Sequence, residues 1–272
     1  MRKLMMSLVV MLLVLSGCGG KEAKSDEKVL RVGMECNYAP FNWTENDASD
    51  FNVKETNGGY CDGYDVAIAK RIAEELDREL VIVKLEWDAL LPAMATDTID
   101  AIIAGMTDTE ERRVNADFTE PYYQSEMVMI VRANSDLAKA TSLHDFSGYN
   151  VLGQLNTMYD TVIDQIPNVN HMVPLESYPY MIASLINGEA DALTAETPVG
   201  QGAVAAHPEL ALVKFDAGKG FDIDLSETAV SIAVKKGNTE LLNEISTALT
   251  TITQEERTSM MSEATSRQPV GE

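Results

Sequence analysis

Beyond residue 28 the apolar positions come in short runs separated by polar clusters. Val29-Leu30-Arg31-Val32-Gly33-Met34 predicts a strand that stops at a polar cluster. Asp65 to Leu76 carries Val66, Ile68, Ala69, Ile72, Ala73 and Leu76 at helical spacing, and Leu80-Val81-Ile82-Val83 predicts a buried strand after it. Strand, helix and strand with short connections predict a mostly parallel sheet covered by helices.

A weak internal repeat extends this pattern. Trp87 to Met94 predicts a helix, followed by a strand over Ile99-Asp100-Ala101-Ile102-Ile103-Ala104. Tyr180 to Gly188 and then Ala190-Asp191-Ala192-Leu193-Thr194 repeat the sequence of apolar helix, polar turn, Asp-Ala step and strand. Two similar α/β lobes follow, each turning strand carboxyl ends towards a shared crevice, where open α/β sheets bind ligands. Met127 to Arg132 and Thr228 to Val234 predict the strands that leave the first lobe and return to it. The expected division is lobe one over 29–131, lobe two over 132–228, and a return to lobe one over 229–272, with a helix from about Asn238.

The N-terminus has a different character. Arg2 and Lys3 precede the apolar run Leu4 to Leu15 and then Ser16-Gly17-Cys18. A positive start, about a dozen apolar residues and small residues before a cut mark a secretory signal over 1–17. The run is short of the roughly 20 residues that span a bilayer. Leu15-Ser16-Gly17-Cys18 resembles the lipobox of bacterial lipoproteins, which implies that Cys18 is lipidated and anchors the mature chain to the outer face of the bacterial cell membrane. Residues 18–28 contain no apolar side chain larger than alanine after the cysteine and read as a flexible tether.

Composition narrows the function. The chain has 272 residues, long enough for two lobes of roughly 100 residues each. Its net charge of −22 and lack of a basic cluster argue against nucleic acid. His144, His171 and His207 are scattered without metal-ligand spacing, so no metal or cofactor is expected. Neither a nucleophile elbow nor a phosphate-cradling glycine loop is present. The 14 methionines lie mostly at apolar positions, where they fill core.

Several spaced motifs resemble the polar amino-acid-binding family of solute-binding proteins that serve bacterial ABC importers. They are Leu30 to Glu35 with Tyr38-Ala39-Pro40-Phe41; Gly63-Tyr64-Asp65-Val66-Ala67-Ile68-Ala69; and Asp100 to Thr107 with Thr109-Glu110-Glu111-Arg112 and Asp117 to Tyr122. The resemblance implies a two-lobed periplasmic-binding-protein-like fold of type II, α/β, with the ligand cleft between the lobes and two crossing strands as hinge. It implies a monomer that closes on a free L-amino acid and hands it to a membrane permease.

The same resemblance assigns roles. Arg112 would grip the ligand carboxylate, a task suited to a planar guanidinium fork, with Gly105 and Thr107 beside it. Gln154, Thr157 and Met158 match a turn that presents backbone N–H groups to that carboxylate, although Asn156 replaces a glycine and Met158 a hydroxyl residue. Glu196 stands where the family has an aspartate for the ammonium. Tyr38 and Trp87 would wall the side chain, and Glu35 would meet its far end. Counting charges leaves Glu35 unpaired, which favours a cationic ligand: arginine first, then lysine or ornithine. A neutral polar ligand such as glutamine or cystine is the alternative, as is an enzyme on the same scaffold resembling cyclohexadienyl dehydratase. Cys36 and Cys61 flank a polar insertion over 42–59. After export these thiols form either a disulfide or a pair of free buried cysteines.

Overall fold

The structure is a computed structural model and describes residues 28–269. The signal segment, Cys18 and the tether up to residue 27 lie outside the described residues.

Two five-stranded sheets share one plan. In the first, the order is Glu79–Lys84, Val29–Met34, Ala101–Ile102, Ala233–Lys235 and Ala116–Phe118. The first three strands are parallel, and Ala233–Lys235 runs antiparallel to both its neighbours. In the second, the order is Asn170–His171, Asn150–Leu152, Ala192–Glu196, Met127–Arg132 and Leu210–Val213. Again three strands are parallel and the fourth is antiparallel to both neighbours. The internal repeat has a structural meaning here: its two strands, Ala101–Ile102 and Ala192–Glu196, are each third in their sheet.

The chain crosses between lobes earlier than the sequence suggested. Met127–Arg132, assigned almost entirely to the first lobe, lies wholly within the second sheet. Its residues Val128 to Val131 are buried, and an apolar run without polar alternation suits a strand paired on both sides and covered on both faces. The crossing is made by Tyr123–Gln124, which pairs antiparallel with Ala229–Val230. The predicted return strand is therefore split, with Ala229–Val230 at the crossing and Ala233–Lys235 in the first sheet.

The polar insertion also folds. Asn37–Tyr38, Asn42–Glu45, Tyr60–Asp62 and Val53–Lys54 make a small antiparallel sheet beside the cleft. Cys36 and Cys61 are joined by a disulfide with Cα atoms 5.6 Å apart. Gly63 then opens the helix Tyr64–Glu75. At its φ of 131° a Cβ would stand 2.2 Å from the Phe41 carbonyl oxygen, so only glycine fits. The C-terminal helix is two: Thr239–Thr251, capped by Asn238, and Gln254–Arg267, opened by a Thr253–Glu256 capping box. Both pack on helix Tyr64–Glu75. Among the described residues, no helix is long and apolar enough to cross a membrane.

Candidate ligand-binding site

A narrow cavity lies between the lobes, walled by Glu35, Tyr38, Trp87, Ala104, Gly105, Thr107, Thr109, Arg112, Gln154, Thr157, Met158 and Tyr159. Nine of the ten residues singled out from the sequence lie on this wall, and Glu196 alone does not.

The first lobe supplies the cation. The loop after Ala101–Ile102 turns at Gly105, whose φ is 61°. A Cβ there would stand 2.7 Å from Cε1 of Tyr38, so glycine lets the aromatic wall approach the backbone. The Gly105 N–H donates to the Tyr122 hydroxyl at 2.9 Å, which in turn donates to Asp65 at 2.6 Å. Asn42 donates to the other Asp65 oxygen at 2.7 Å. Burial pushes the Asp65 carboxyl up to about 6, against the lowering effect of these donors. Asp65 thus fixes the loop that carries Gly105 and Thr107. The Arg112 guanidinium donates to the Thr107 carbonyl at 2.8 Å and, across the cleft, to the Asn156 carbonyl at 3.1 Å. It lies 5.1 Å from the Trp87 ring centroid, a cation–π geometry that orients the fork.

The second lobe answers with the Gln154–Tyr159 turn. Thr157 donates to the Gln154 carbonyl at 2.8 Å, and Gln154 donates to the Glu176 carbonyl at 3.1 Å. Asn156, which replaces a glycine, holds φ at 57° and donates through its side chain to Asp88 at 2.8 Å. Asparagine is among the residues that tolerate this region, so the substitution keeps the turn and adds an interlobe contact.

Two acids have contrasting settings. Glu35 is 3% exposed, and its Oε1 has no hydrogen-bond partner. Burial pushes its carboxyl up to about 8, opposed by Gln154 and reinforced by Glu86 and Asp88. Glu196 is fully buried behind the wall. Its Oε1 accepts from the Tyr38 hydroxyl and its Oε2 from Ser125 at 2.6 Å. Burial raises it to about 7 despite these donors. The extra methylene of glutamate over aspartate gives a physical reason for its reach to Tyr38. The Tyr38 ring stacks on Phe41, with centroids 5.2 Å apart, and meets Tyr178 of the second lobe at 5.2 Å.

Sequence reasoning missed Ser125, Tyr159 and the structural pair Asp65–Tyr122. Asp65 and Tyr122 lay inside the motifs already singled out and signalled only a helix start and a strand end. Tyr159 carries no sequence signal beyond its place after Met158.

The sequence profile of bacterial extracellular solute-binding proteins, family 3, matches residues 30–264. The chain belongs to that family. A putative ABC transporter arginine-binding protein 2 of Escherichia coli is 30% identical over 82% of this chain and 84% of its own. An ABC transporter glutamine-binding protein of Bacillus subtilis is 26% identical over 87% of this chain and 86% of its own. The crystal structure of an amino acid ABC transporter substrate-binding protein from Streptococcus pneumoniae, bound to L-arginine, superposes with a TM-score of 0.75. It is 26% identical, over 88% of this chain and 95% of that one. The fold is that of the type II periplasmic binding proteins, and the chain is an exported amino-acid-binding receptor of an ABC transporter rather than an enzyme.

Proposed function

We propose that the chain binds a cationic L-amino acid, arginine first and lysine or ornithine next, and delivers it to its membrane permease. The observation that carries this reading is Glu35, a buried carboxyl with an unpartnered oxygen on the cavity wall. An unsatisfied buried acid favours a ligand that brings donors and a positive charge. Tyr38 and Trp87 flank the same space and attract a cation through their ring faces, by about 0.5–2 kcal/mol. At the other chemical pole, Arg112 takes the carboxylate, with Thr107 and the Gln154–Met158 turn around it. Ligand bridging both lobes favours the closed form that the permease recognises.

A neutral amide ligand is the competing reading. It draws on Glu35 being raised to about 8, because a protonated acid both donates to and accepts from an amide. Calorimetry on wild type and Glu35→Gln separates the two. Glu35→Gln weakens arginine far more than glutamine if the ligand is cationic; equal losses, or a wild type that ignores arginine and binds glutamine, refute it.

The receptor would work as a monomer tethered through Cys18, with Gly19 to Lys28 giving it reach from the membrane. Cys18→Ser should abolish palmitate labelling and release the protein or leave it unprocessed. Unchanged labelling and membrane retention would contradict the anchor.

A further inference from the structure

Glu196 leaves a question at the ammonium end of the site. It is absent from the cavity wall, and the hydroxyls of Tyr38 and Ser125 already serve its two oxygens. The wall there includes Tyr159, which is 5% exposed and whose hydroxyl makes no close hydrogen bond, its one polar approach being a long interaction with Glu196. Its backbone is firmly held, because the Tyr159 carbonyl accepts from Thr194 at 2.6 Å. Three buried side chains carry such an orphaned atom among the described residues, and two of them, Glu35 and Tyr159, line this one cavity. Orphaned buried hydroxyls are destabilising and rare, so one aimed at a ligand cavity points to the ligand as its partner.

We propose that Tyr159 is a ligand-binding residue that receives the α-ammonium: its hydroxyl oxygen accepts from the ammonium while its proton is directed to Glu196 behind it. Glu196 then acts through the phenols in front of it and is a positioning residue for them. Both Glu196 and Arg112 lie close enough to act on the Tyr159 phenol. That is where the ammonium and carboxylate of one α-carbon would sit. Glu196, being fully buried, supplies negative charge without entering the cavity, and its carboxylate oxygens have lone pairs beyond those used by Tyr38 and Ser125. The inference rests on the amino-acid reading above and is independent of which side chain is bound.

The test pairs one variant with one ligand edit. Tyr159→Phe keeps the ring and removes the hydroxyl. Binding of L-arginine and of its analogue without the α-ammonium, 5-guanidinopentanoate, is measured by calorimetry on wild type and variant, with melting curves confirming the fold. If wild type ignores L-arginine, the cationic assignment fails, and the same cycle is run with L-glutamine and 4-carbamoylbutanoate. Tyr159→Phe should weaken the amino acid by about tenfold or more and the analogue by about twofold or less, as expected for a hydrogen bond to a charged group. Equal effects on both ligands overturn the proposal, whether both are large or both negligible. So does a loss that persists for the analogue and vanishes for argininamide, which would tie the hydroxyl to the carboxylate.

Discussion

Binding of arginine should release a proton from Glu35. The side chain is buried and its carboxyl is raised to about 8, so at pH 7 about nine in ten free receptors hold it protonated. A guanidinium beside it favours the carboxylate, and the complex forms with Glu35 ionised. Linkage then requires about 0.9 proton released per arginine at pH 7 from this group. The dissociation constant should fall about ninefold, or about 1.3 kcal/mol, from pH 6 to 7, and about fivefold, or about 1 kcal/mol, from pH 7 to 8, and level off above 8. Glu196, raised to about 7, adds a shared slope below pH 7 for any amino acid whose ammonium favours its ionised form. The Glu35 component is therefore the difference between wild type and Glu35→Gln. Titration calorimetry of L-arginine at pH 6, 7, 8 and 9, in buffers of different ionisation enthalpy, gives both affinity and protons released. Identical slopes in wild type and Glu35→Gln, or no proton release beyond that of the variant, would refute the reasoning.

Other expectations follow from single contacts. Arg112→Ala should weaken any amino-acid ligand by about 2–5 kcal/mol in calorimetry, because it strands a buried carboxylate; a loss below tenfold would remove Arg112 from the site. Gly105→Ala should displace the Tyr38 wall, given a clash at 2.7 Å and a φ of 61°, and lower both the melting temperature and ligand affinity. Cys36→Ser with Cys61→Ser should lower unfolding free energy by about 3.5 kcal/mol, from a sequence separation of 25, as read by denaturant unfolding; an unchanged midpoint would contradict it. The raised carboxyls of Asp65, Glu196 and Glu35, at about 6, 7 and 8, hold protons in the fold that the unfolded chain gives up. Ligand-free stability should therefore fall as pH rises from about 5 to about 8. Melting temperatures that climb across that window would contradict the burial of these groups.

The sequence disclosed the wall of the site better than its depth. Residues at strand ends and in the Gly105–Arg112 loop sit at fixed points of a periodic pattern, so their meeting in one cavity followed from the α/β order. Glu196 was also at a strand end, but strand position says nothing of reach. Only packing shows that Tyr38 stands between it and the cavity. The crossing strands were misplaced because Met127 to Arg132 was read as the strand that leaves the first lobe, whereas its unbroken apolar run marks a strand buried on both faces inside the second sheet. The small sheet over residues 37–62 escaped notice because its strands are two to four residues long and its turns polar. The Tyr159 contribution depends on a hydroxyl direction that no periodicity encodes.

The central claim is that the cleft selects a cationic α-amino acid, and a thermal-shift screen of the wild-type receptor against the twenty L-amino acids plus ornithine tests it most directly. Ligand at about 100 times its dissociation constant stabilises the fold by about 2.7 kcal/mol, a readily measured rise in melting temperature. Arginine should give the largest rise, with lysine and ornithine next. A largest rise with glutamine, cystine or an apolar amino acid would contradict the cationic assignment, and no rise with any of them would contradict the amino-acid site itself.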